Sequence, residues 1–547
     1  MIEIPVLIAG GGPVGTTLAL DLASHGIRSI VVEERLAMPP NPKCNTTNAR
    51  SMEHFRRLGC AQAIRRAGLP EDYATDVVYA TRWLGKELTR YTLRSSAEVS
   101  ARVSGTGAID EYWPTAEPQH RISQLAMEPV LRAHTRTFTA CDYREGWRFL
   151  SFTQTDTHVD CLVEECATGA QHTIRARYLV SCEGGHSRIR RDIGARLEGR
   201  ECVAKFCTTY LKSPALTAAW PHKAAWMHRL YNAQGESHIV AIDGRDLWLH
   251  HSILSPEGDL DAHDHEQAIR QALGADLEYE ILGQERWTAR AMVADHYRQD
   301  RVFLCGDAAH IWIPMGGFGM NAGVEDAVNL SWKLWAVLAG WGAPEILDSY
   351  ESERRSIGQL VAGSAARIFE DLYRIPVQEP AFEAEGADAD RRRAEIGQLI
   401  TAHNLAEFDS IGMQLGITYA GSPIVCDDGA AAIPFAINSY VESSCPGVRA
   451  PHFWRNDGHA LFDDFGSGFT LLQIGTAPPP AHDLITAFAA AGVPLHILAV
   501  TEPVAHTKYE GYPLVLIRPD QHIAWRGHET PAESAAVVRT VTGHAPH

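Results

Sequence analysis

The run Pro5-Val6-Leu7-Ile8-Ala9, followed by Gly10-Gly11-Gly12-Pro13-Val14-Gly15, constrains this chain more than any other stretch. A short apolar strand feeding a G-x-G-x-x-G turn predicts a helix next, here Thr16 to His25, with Leu18, Leu20 and Leu22 among its apolar positions and Gly26 at its end. Ile27 to Val32 reads as the second strand, and Glu33 stands just past it, 23 positions after Gly10. Gly10 permits the tight turn, Gly12 lets the backbone approach a pyrophosphate, and Gly15 lets helix and strand pack closely. Glu33, with Glu34 beside it, can accept hydrogen bonds from ribose hydroxyls. An acid there disfavours a 2′-phosphate, so FAD or NAD fits this unit better than NADP.

A second stretch of the same kind lies near the middle, CGDAAHIWIPMGGFGMNAGVEDAVNLSWKL from Cys305 to Leu334. Arg301 to Cys305 predicts the end of a buried strand. The chain turns at Gly306-Asp307, passes through the glycine-rich Pro314 to Gly319, and leaves on a helix from about Met320. Loop glycines let backbone amides come close, and a helix start offers unpaired N–H groups and a positive dipole end, a layout suited to a polyanionic cofactor.

Between these stretches the signals are weaker. Asn48 to Glu53 opens a helix that ends near Gly59, and Arg50 in it is either a cofactor contact or a solvated helix-start arginine. Gln124, near another helix start, is either an amide donor to a flavin or ribose or a surface glutamine. Thr157 to Val163 and Thr173 to Val180 read as strands leading into Ser181-Cys182-Glu183-Gly184-Gly185-His186-Ser187-Arg188, again a strand, an acidic glycine turn and a helix. From about 200 to 295, aromatic and polar residues interleave on strands such as Phe206–Leu211, Ala225–Tyr231, His238–Ile242 and Leu247–Ile253. Period-two alternation puts Trp226, His228 and Leu230 on one face and Met227, Arg229 and Tyr231 on the other, a sheet suited to a flat aromatic ligand or simply a core.

At 547 residues the chain is too long for one core, and roughly three or four domains are expected. Lys and Arg number 49 against 67 Asp and Glu, a formal charge of −18, which argues against nucleic acid or an anionic membrane as partner. No run approaches a membrane span of about 18 apolar residues, and no basic-then-apolar signal segment opens the sequence. The eleven cysteines lack metal-ligand or CxxC spacing, so no metal is expected and a reduced, cytoplasmic setting is.

GGGPVG with Glu33, CEGGHSRIRR from Cys182 to Arg191, and the Cys305–Leu334 stretch stand in the order and spacing of one family. The chain resembles the class A flavoprotein aromatic hydroxylases of the para-hydroxybenzoate hydroxylase fold. It is most similar to phenol-type hydroxylases, such as 2,4-dichlorophenol 6-monooxygenase and 3-(3-hydroxyphenyl)propionate hydroxylase, and to polyketide-tailoring hydroxylases. The resemblance implies an α/β fold with a Rossmann-like FAD-binding domain, an inserted antiparallel-sheet substrate domain and a C-terminal thioredoxin-like domain. The corresponding boundaries are 1–195 with 285–375, then 196–284 with parts of 75–115, a linker over 376–446, and 447–547. Gln378 to Arg393, acidic and alanine-rich, reads as a mobile connector.

By the same resemblance, Gly10, Gly12, Gly15, Glu33, Glu34, Arg50 and Gln124 would bind FAD, and Asp307 would hydrogen-bond its ribityl chain or ribose. Pro314 and the backbone over Gly317, Gly319, Met320 and Asn321 would face the isoalloxazine. Glu183 stands where the family usually has Asp, at a carboxylate linked to both FAD and NAD(P)H, and Phe318 replaces a commonly polar residue. The implied activity is an NADPH- or NADH-dependent FAD monooxygenase that uses O2, through a C4a-hydroperoxyflavin, to hydroxylate a phenolic or polyketide aromatic. The alternatives are Baeyer–Villiger oxygenation, oxidative modification of an antibiotic, or a flavin-binding protein without turnover. His228, His250 and Tyr231 are the candidates for a base toward the phenol. The C-terminal domain has no cysteine beyond Cys445, so its expected work is packing or homodimer contact.

Overall fold

A computed structural model describes residues 2–373, 375 and 383–544, which build three sheets. The first runs in the order Arg298–Gln299, Val302–Leu304, Ala170–Ser181, Ile2–Ala9, Ser29–Glu33 and Cys141–Glu145. Its central pairings are parallel, while the hairpin Trp147–Gln154 and Val159–Glu165 joins it antiparallel through Ala170–Ser181. Val6 to Ala9 and Ser29 to Glu33 are buried throughout, as expected of parallel strands covered on both faces. The helix Pro13–Ser24 follows the glycine turn, starting three residues earlier than the apolar periodicity predicts, because proline is preorganised for a first helical turn.

The second sheet has eight strands in the order His310–Trp312, Glu280–Ala294, Leu197–Lys212, Leu247–Leu254, Gly235–Ala241, Met227–Asn232, Val77–Ala80 and Glu87–Tyr91. All its pairings are antiparallel except that between Met227–Asn232 and Val77–Ala80. Residues near position 77 thus complete a sheet whose other strands lie more than a hundred residues away.

The third sheet, Leu495–Val500, Phe469–Ile474, Leu514–Ile517 and Ile523–Gly527, carries the helices His482–Ala490 and Ser534–Val541. It docks on the long helix Phe318–Ala339, with Trp332 edge-on to Phe469 at 6.0 Å. Beneath it lies a buried ionic joint. Glu353 accepts from Lys333 Nζ at 2.7 Å and from Arg518 Nη1 and Nη2 at 2.6 and 2.9 Å. Glu53, on the helix Ala49–Arg57, likewise accepts from Arg50 and Arg449. Such pairs are costly to break, because each partner left alone is a buried charge.

The connector expected over Gln378 to Arg393 is corrected. Residues 378–382 lie outside the described residues, but Ala387–Asn404 is a helix that packs against Glu87–Tyr91. Its alanines and i,i+3 Asp–Arg pairs favour helix over coil, so composition misled here. Among the described residues no helix is long and apolar enough to cross a membrane.

Candidate active site

The two glycine-rich stretches meet. Val14, at the start of the first helix, fills the space in front of Gly306 and Gly323; a Cβ on Gly323 would stand 2.6 Å from Val14 Cγ2. The N-termini of Pro13–Ser24 and Phe318–Ala339 therefore converge. Neither has a side-chain cap or an acidic residue in its first turn, which leaves N–H groups and two positive dipole ends for an anion.

The fingerprint glycines divide by what surrounds them. Gly10 has φ +104° and a Cβ there would lie 2.2 Å from the Cys182 carbonyl oxygen, while one on Gly15 would lie 2.0 Å from that of Gly10. These two glycines serve packing. Gly12 has ordinary φ and nothing within 4 Å of where its Cβ would be, so it opens onto the cradle. Glu33 is 4% exposed and accepts from Gly11 N at 2.8 Å and Arg35 N at 3.0 Å, which fixes its carboxylate at the second strand's end.

Asp307 sits in a short 3-10 turn after Val302–Leu304, and its carboxylate accepts no hydrogen bond among the described residues. Surrounding protein pushes that carboxyl up, against the pull of His310 and Lys43, although the side chain stays reachable by solvent. An accessible acid in a recess is a fit for a polyol. Behind it, Asp326 accepts from His310 Nε2 at 2.7 Å, Arg354 Nε at 2.6 Å and Gly306 N at 3.1 Å. Burial opposes its charge, but Arg354 and His310 hold it at about 2.

The loop from Pro314 to Gly319 is pinned from within. Pro314 is exposed, while Phe318 is buried and turned inward. Gly316 (φ +72°) faces the Phe318 ring, which a Cβ would meet at 2.3 Å, and Gly317 (φ +67°) faces Thr46 at 2.9 Å. Asn321 ties the loop to residues 46–48: its Oδ1 accepts from Asn48 N at 2.9 Å, and its Nδ2 donates to the carbonyls of Thr46 and Gly317 at 3.0 and 2.6 Å. Met320 packs against the apolar cluster that includes Leu20 and Met52, and only hydrogens of Gly319 face the Trp312 indole.

Four expected cofactor residues are otherwise engaged. Arg50 is buried and donates to Gln521 Oε1 at 2.7 Å and the Asp520 carbonyl at 2.6 Å, across the interface with the third sheet. Glu34 is exposed and paired with Arg148 at 3.2 Å. Gln124 Nε2 donates to Glu128 one turn along its own helix. Glu183 Oε2 accepts from Ser181 Oγ, Ser187 Oγ and Ile189 N at 3.0, 2.7 and 3.0 Å, so the longer acid caps the next helix.

The base candidates separate by sheet face. His228, Ile239, His250 and Thr209 are cross-strand neighbours on one face. His228 lies among Trp83, Trp220 and Trp248, and burial pushes it down to about 3. His250 is also buried and held at about 3 by burial, and neither ring nitrogen has a partner among the described residues. The opposite face carries Arg229, whose Nη2 donates to both Glu407 oxygens at 2.6 and 2.7 Å, and Tyr231, whose hydroxyl donates to Glu236 at 3.2 Å. Burial raises the Tyr231 phenol far above its ordinary range. Glu407 thus covers the Arg229 face of the sheet, opposite the histidine face.

Sequence reasoning missed Glu407 and Asn404, which accepts from the Tyr79 hydroxyl at 2.9 Å. Asn404 ends the helix Ala387–Asn404 and Glu407 lies just past it, both in the stretch read as a linker. Arg121 and Trp226 were missed as a pair; the guanidinium carbon stands 4.0 Å over the indole centroid. Nothing in local spacing links these positions.

Comparison with known proteins gives consistent likenesses. Residues 3–365 match the FAD binding domain family and residues 443–545 the aromatic-ring hydroxylase C-terminal family. The FAD-dependent monooxygenase opdD of Penicillium oxalicum is 30% identical over 91% of this chain and 99% of its own. The structure of RebC with bound 7-carboxy-K252c superposes with a TM-score of 0.91 at 35% identity, covering all of both chains. Aklavinone-11 hydroxylase with FAD and aklavinone superposes at 0.82 and 26% identity over 99% of each chain.

Proposed function

We propose, since this chain belongs to the family of FAD-dependent aromatic-ring hydroxylases, that it uses NAD(P)H and O2 to hydroxylate a phenolic or polyketide-type aromatic. It is an FAD-dependent monooxygenase, and NAD(P)H dependence is typical of the family. The observation that carries the reading is the convergence of two uncapped helix starts on the unpartnered Asp307 and the open Gly12. Those groups fit FAD: Gly12 and the start of Pro13–Ser24 would take the pyrophosphate, Glu33 the adenosine ribose, and Asp307 the ribityl chain or ribose. Pro314 and the backbone of Gly317, Gly319, Met320 and Asn321 would lie against the flavin ring.

Bound FAD supplies the redox chemistry, drawing reducing equivalents from NAD(P)H and activating O2. This chain's residues hold the substrate in place and keep water out. The aromatic would lie on the sheet side of the glycine loop. RebC's bound 7-carboxy-K252c and the hydroxylase's aklavinone favour a flat polycyclic substrate over a single ring. No triad is needed, because no side chain attacks the substrate.

The test is NAD(P)H oxidation by the yellow holoenzyme against a panel of phenols and polycyclic aromatics, with product mass and oxygen-18 incorporation. Substrate-stimulated oxidation and a product heavier by one oxygen are expected. A protein that purifies without FAD, or consumes no NAD(P)H with any aromatic, defeats the reading.

A further inference from the structure

Two thiols meet on the floor of the cofactor cradle. The parallel strands Ala170–Ser181 and Val302–Leu304 are in register at Ser181 and Leu304, and each is followed by a cysteine. Cys182 and Cys305 are therefore the next pair across the sheet. The Cys305 N–H donates to the Ser181 carbonyl at 2.9 Å, and the Cys182 N–H to that of Ala9 at 2.7 Å. Neighbouring parallel strands stand about 4.8 Å apart, within the span of about 4.4–6.8 Å that a disulfide bridges between Cα atoms. Both sulfurs are free thiols, and Cys182 acts on Cys305 at hydrogen-bonding range. Cys305 is 1% exposed, whereas Cys182 is half-buried and open to small solutes.

What packs on the pair ties it to the cradle. The parallel strands ending at Ala9, Ser181 and Leu304 share one C-terminal rim, the edge at which a dinucleotide lies in sheets of this kind. A Cβ on Gly10 would meet the Cys182 carbonyl oxygen at 2.2 Å, and one on Gly15 the Cys182 Cβ at 3.2 Å, so the fingerprint turn rests on Cys182 without slack. The Cys305 thiol lies 3.9 Å from the carbonyl of Gly323, in the first turns of the second converging helix. Joining the sulfurs draws Cys305 away from that helix and Cys182 away from the turn. Neither sulfur has a part in hydroxylation.

We propose that Cys182 and Cys305 are a modification site, joined reversibly as a disulfide by hydrogen peroxide, and that the bond weakens the hold on FAD. Cys182, the accessible member, loses its proton and attacks peroxide; an S–O bond forms, the O–O bond breaks, and the departing hydroxide leaves as water. The Cys305 sulfur then attacks Cys182; the S–S bond forms, the S–O bond breaks, and the Cys305 proton leaves in a second water. Two thiols give up two electrons in total, and peroxide takes them. Peroxide is the two-electron reduction product of O2, so an enzyme that reduces O2 without passing oxygen on would meet it first. The inference needs FAD in the cradle but no turnover, and it stands apart from the hydroxylase reading.

The holoenzyme is treated with graded hydrogen peroxide, alkylated with iodoacetamide and digested. A cross-linked peptide pair carrying residues 182 and 305, two hydrogens lighter than the two free thiols, is expected, and dithiothreitol should reverse it. FAD affinity, read by flavin fluorescence, should fall about tenfold in the oxidised protein and recover on reduction. By reciprocity, bound FAD should raise the reduction potential of the pair by about 30 mV in a glutathione titration, the equivalent of that tenfold change. Cys182→Ser and Cys305→Ala should each form no link and keep FAD at the same peroxide dose, and their FAD content before treatment reports whether they fold. Three results overturn the proposal: no link at a dose that oxidises the exposed Cys166, a link that leaves FAD affinity unchanged, or peroxide-driven FAD loss that persists in both variants. Failure of the hydroxylase reading looks different: the link forms and FAD loosens, but no aromatic stimulates NAD(P)H oxidation.

Discussion

Arg50 Nη2 donates to the backbone carbonyl of Asp520 at 2.6 Å, joining the helix after the second strand of the nucleotide unit to a turn 470 residues later. The same guanidinium reaches Gln521 and Glu53, and Glu53 accepts in turn from Arg449. The third sheet is therefore fastened to the cofactor half through buried charge. Arg449→Ala should cost about 3–5 kcal/mol, the usual price of stranding a buried partner, seen as a lower midpoint in urea. A midpoint within error of wild type would mean that Glu53 finds water instead.

Acid should loosen this joint first. Glu53, Asp326 and Glu353 are each held at about 2 in the fold, against ordinary values of 4.5, 3.8 and 4.5. Burial works against all three charges, and Arg449 with Arg50, Arg354 with His310, and Arg518 with Lys333 overcome it. Because the folded values lie below the unfolded ones, the unfolded chain binds protons first as pH drops. Their stabilisation is complete above about 4.5 and disappears toward about 2. Urea midpoints measured from neutrality downward should be flat and then fall in that window, and a profile that stays flat through it would contradict the assignment.

Gly12→Ala and Gly10→Ala should fail in different ways. A methyl at Gly12 meets nothing and needs no unusual backbone, so the apoprotein should keep its melting temperature while FAD affinity drops by roughly tenfold or more. A methyl at Gly10 strikes a carbonyl and requires φ +104°, so there the fold itself should weaken, by about 2 kcal/mol or more. Apoprotein melting and FAD titration of both variants separate the two effects.

Asp307→Ala removes a carboxylate that accepts no hydrogen bond among the described residues. Apoprotein stability should change little, within about 0.5 kcal/mol, while FAD retention on gel filtration falls. Full FAD occupancy in this variant would remove Asp307 from the site.

Phe318→Ala should cost about 3–5 kcal/mol through the cavity it opens. Phe318→Leu should recover most of that, and equal melting temperatures for both would show that the ring does not support the loop.

Both nucleotide-holding stretches were legible in the sequence because their signals are local: glycines, an acid and apolar runs within about 30 residues. Even there, local spacing could not show that Phe318 points inward, since its partner is Gly316 and the core behind it. The sheet face was legible by alternation, which set Arg229 and Tyr231 apart from His228. What covers the Arg229 face was not, because Glu407 lies 178 residues away. Arg50 shows the same limit. Its place at a helix start suggested a cofactor contact, and its hydrogen bonds run to residues 520 and 521.

The inward-facing ring of Phe318 has a consequence for how such a catalyst can be altered. With one side of the loop filled and Gly316 and Gly317 barred from carrying side chains, that part of the loop can offer a ligand little besides main chain. A change of substrate preference has no purchase there. On the proposed function it would be made instead on the sheet and on the short segment bearing Asn404 and Glu407, so redesign would begin with those residues and leave the glycine loop alone.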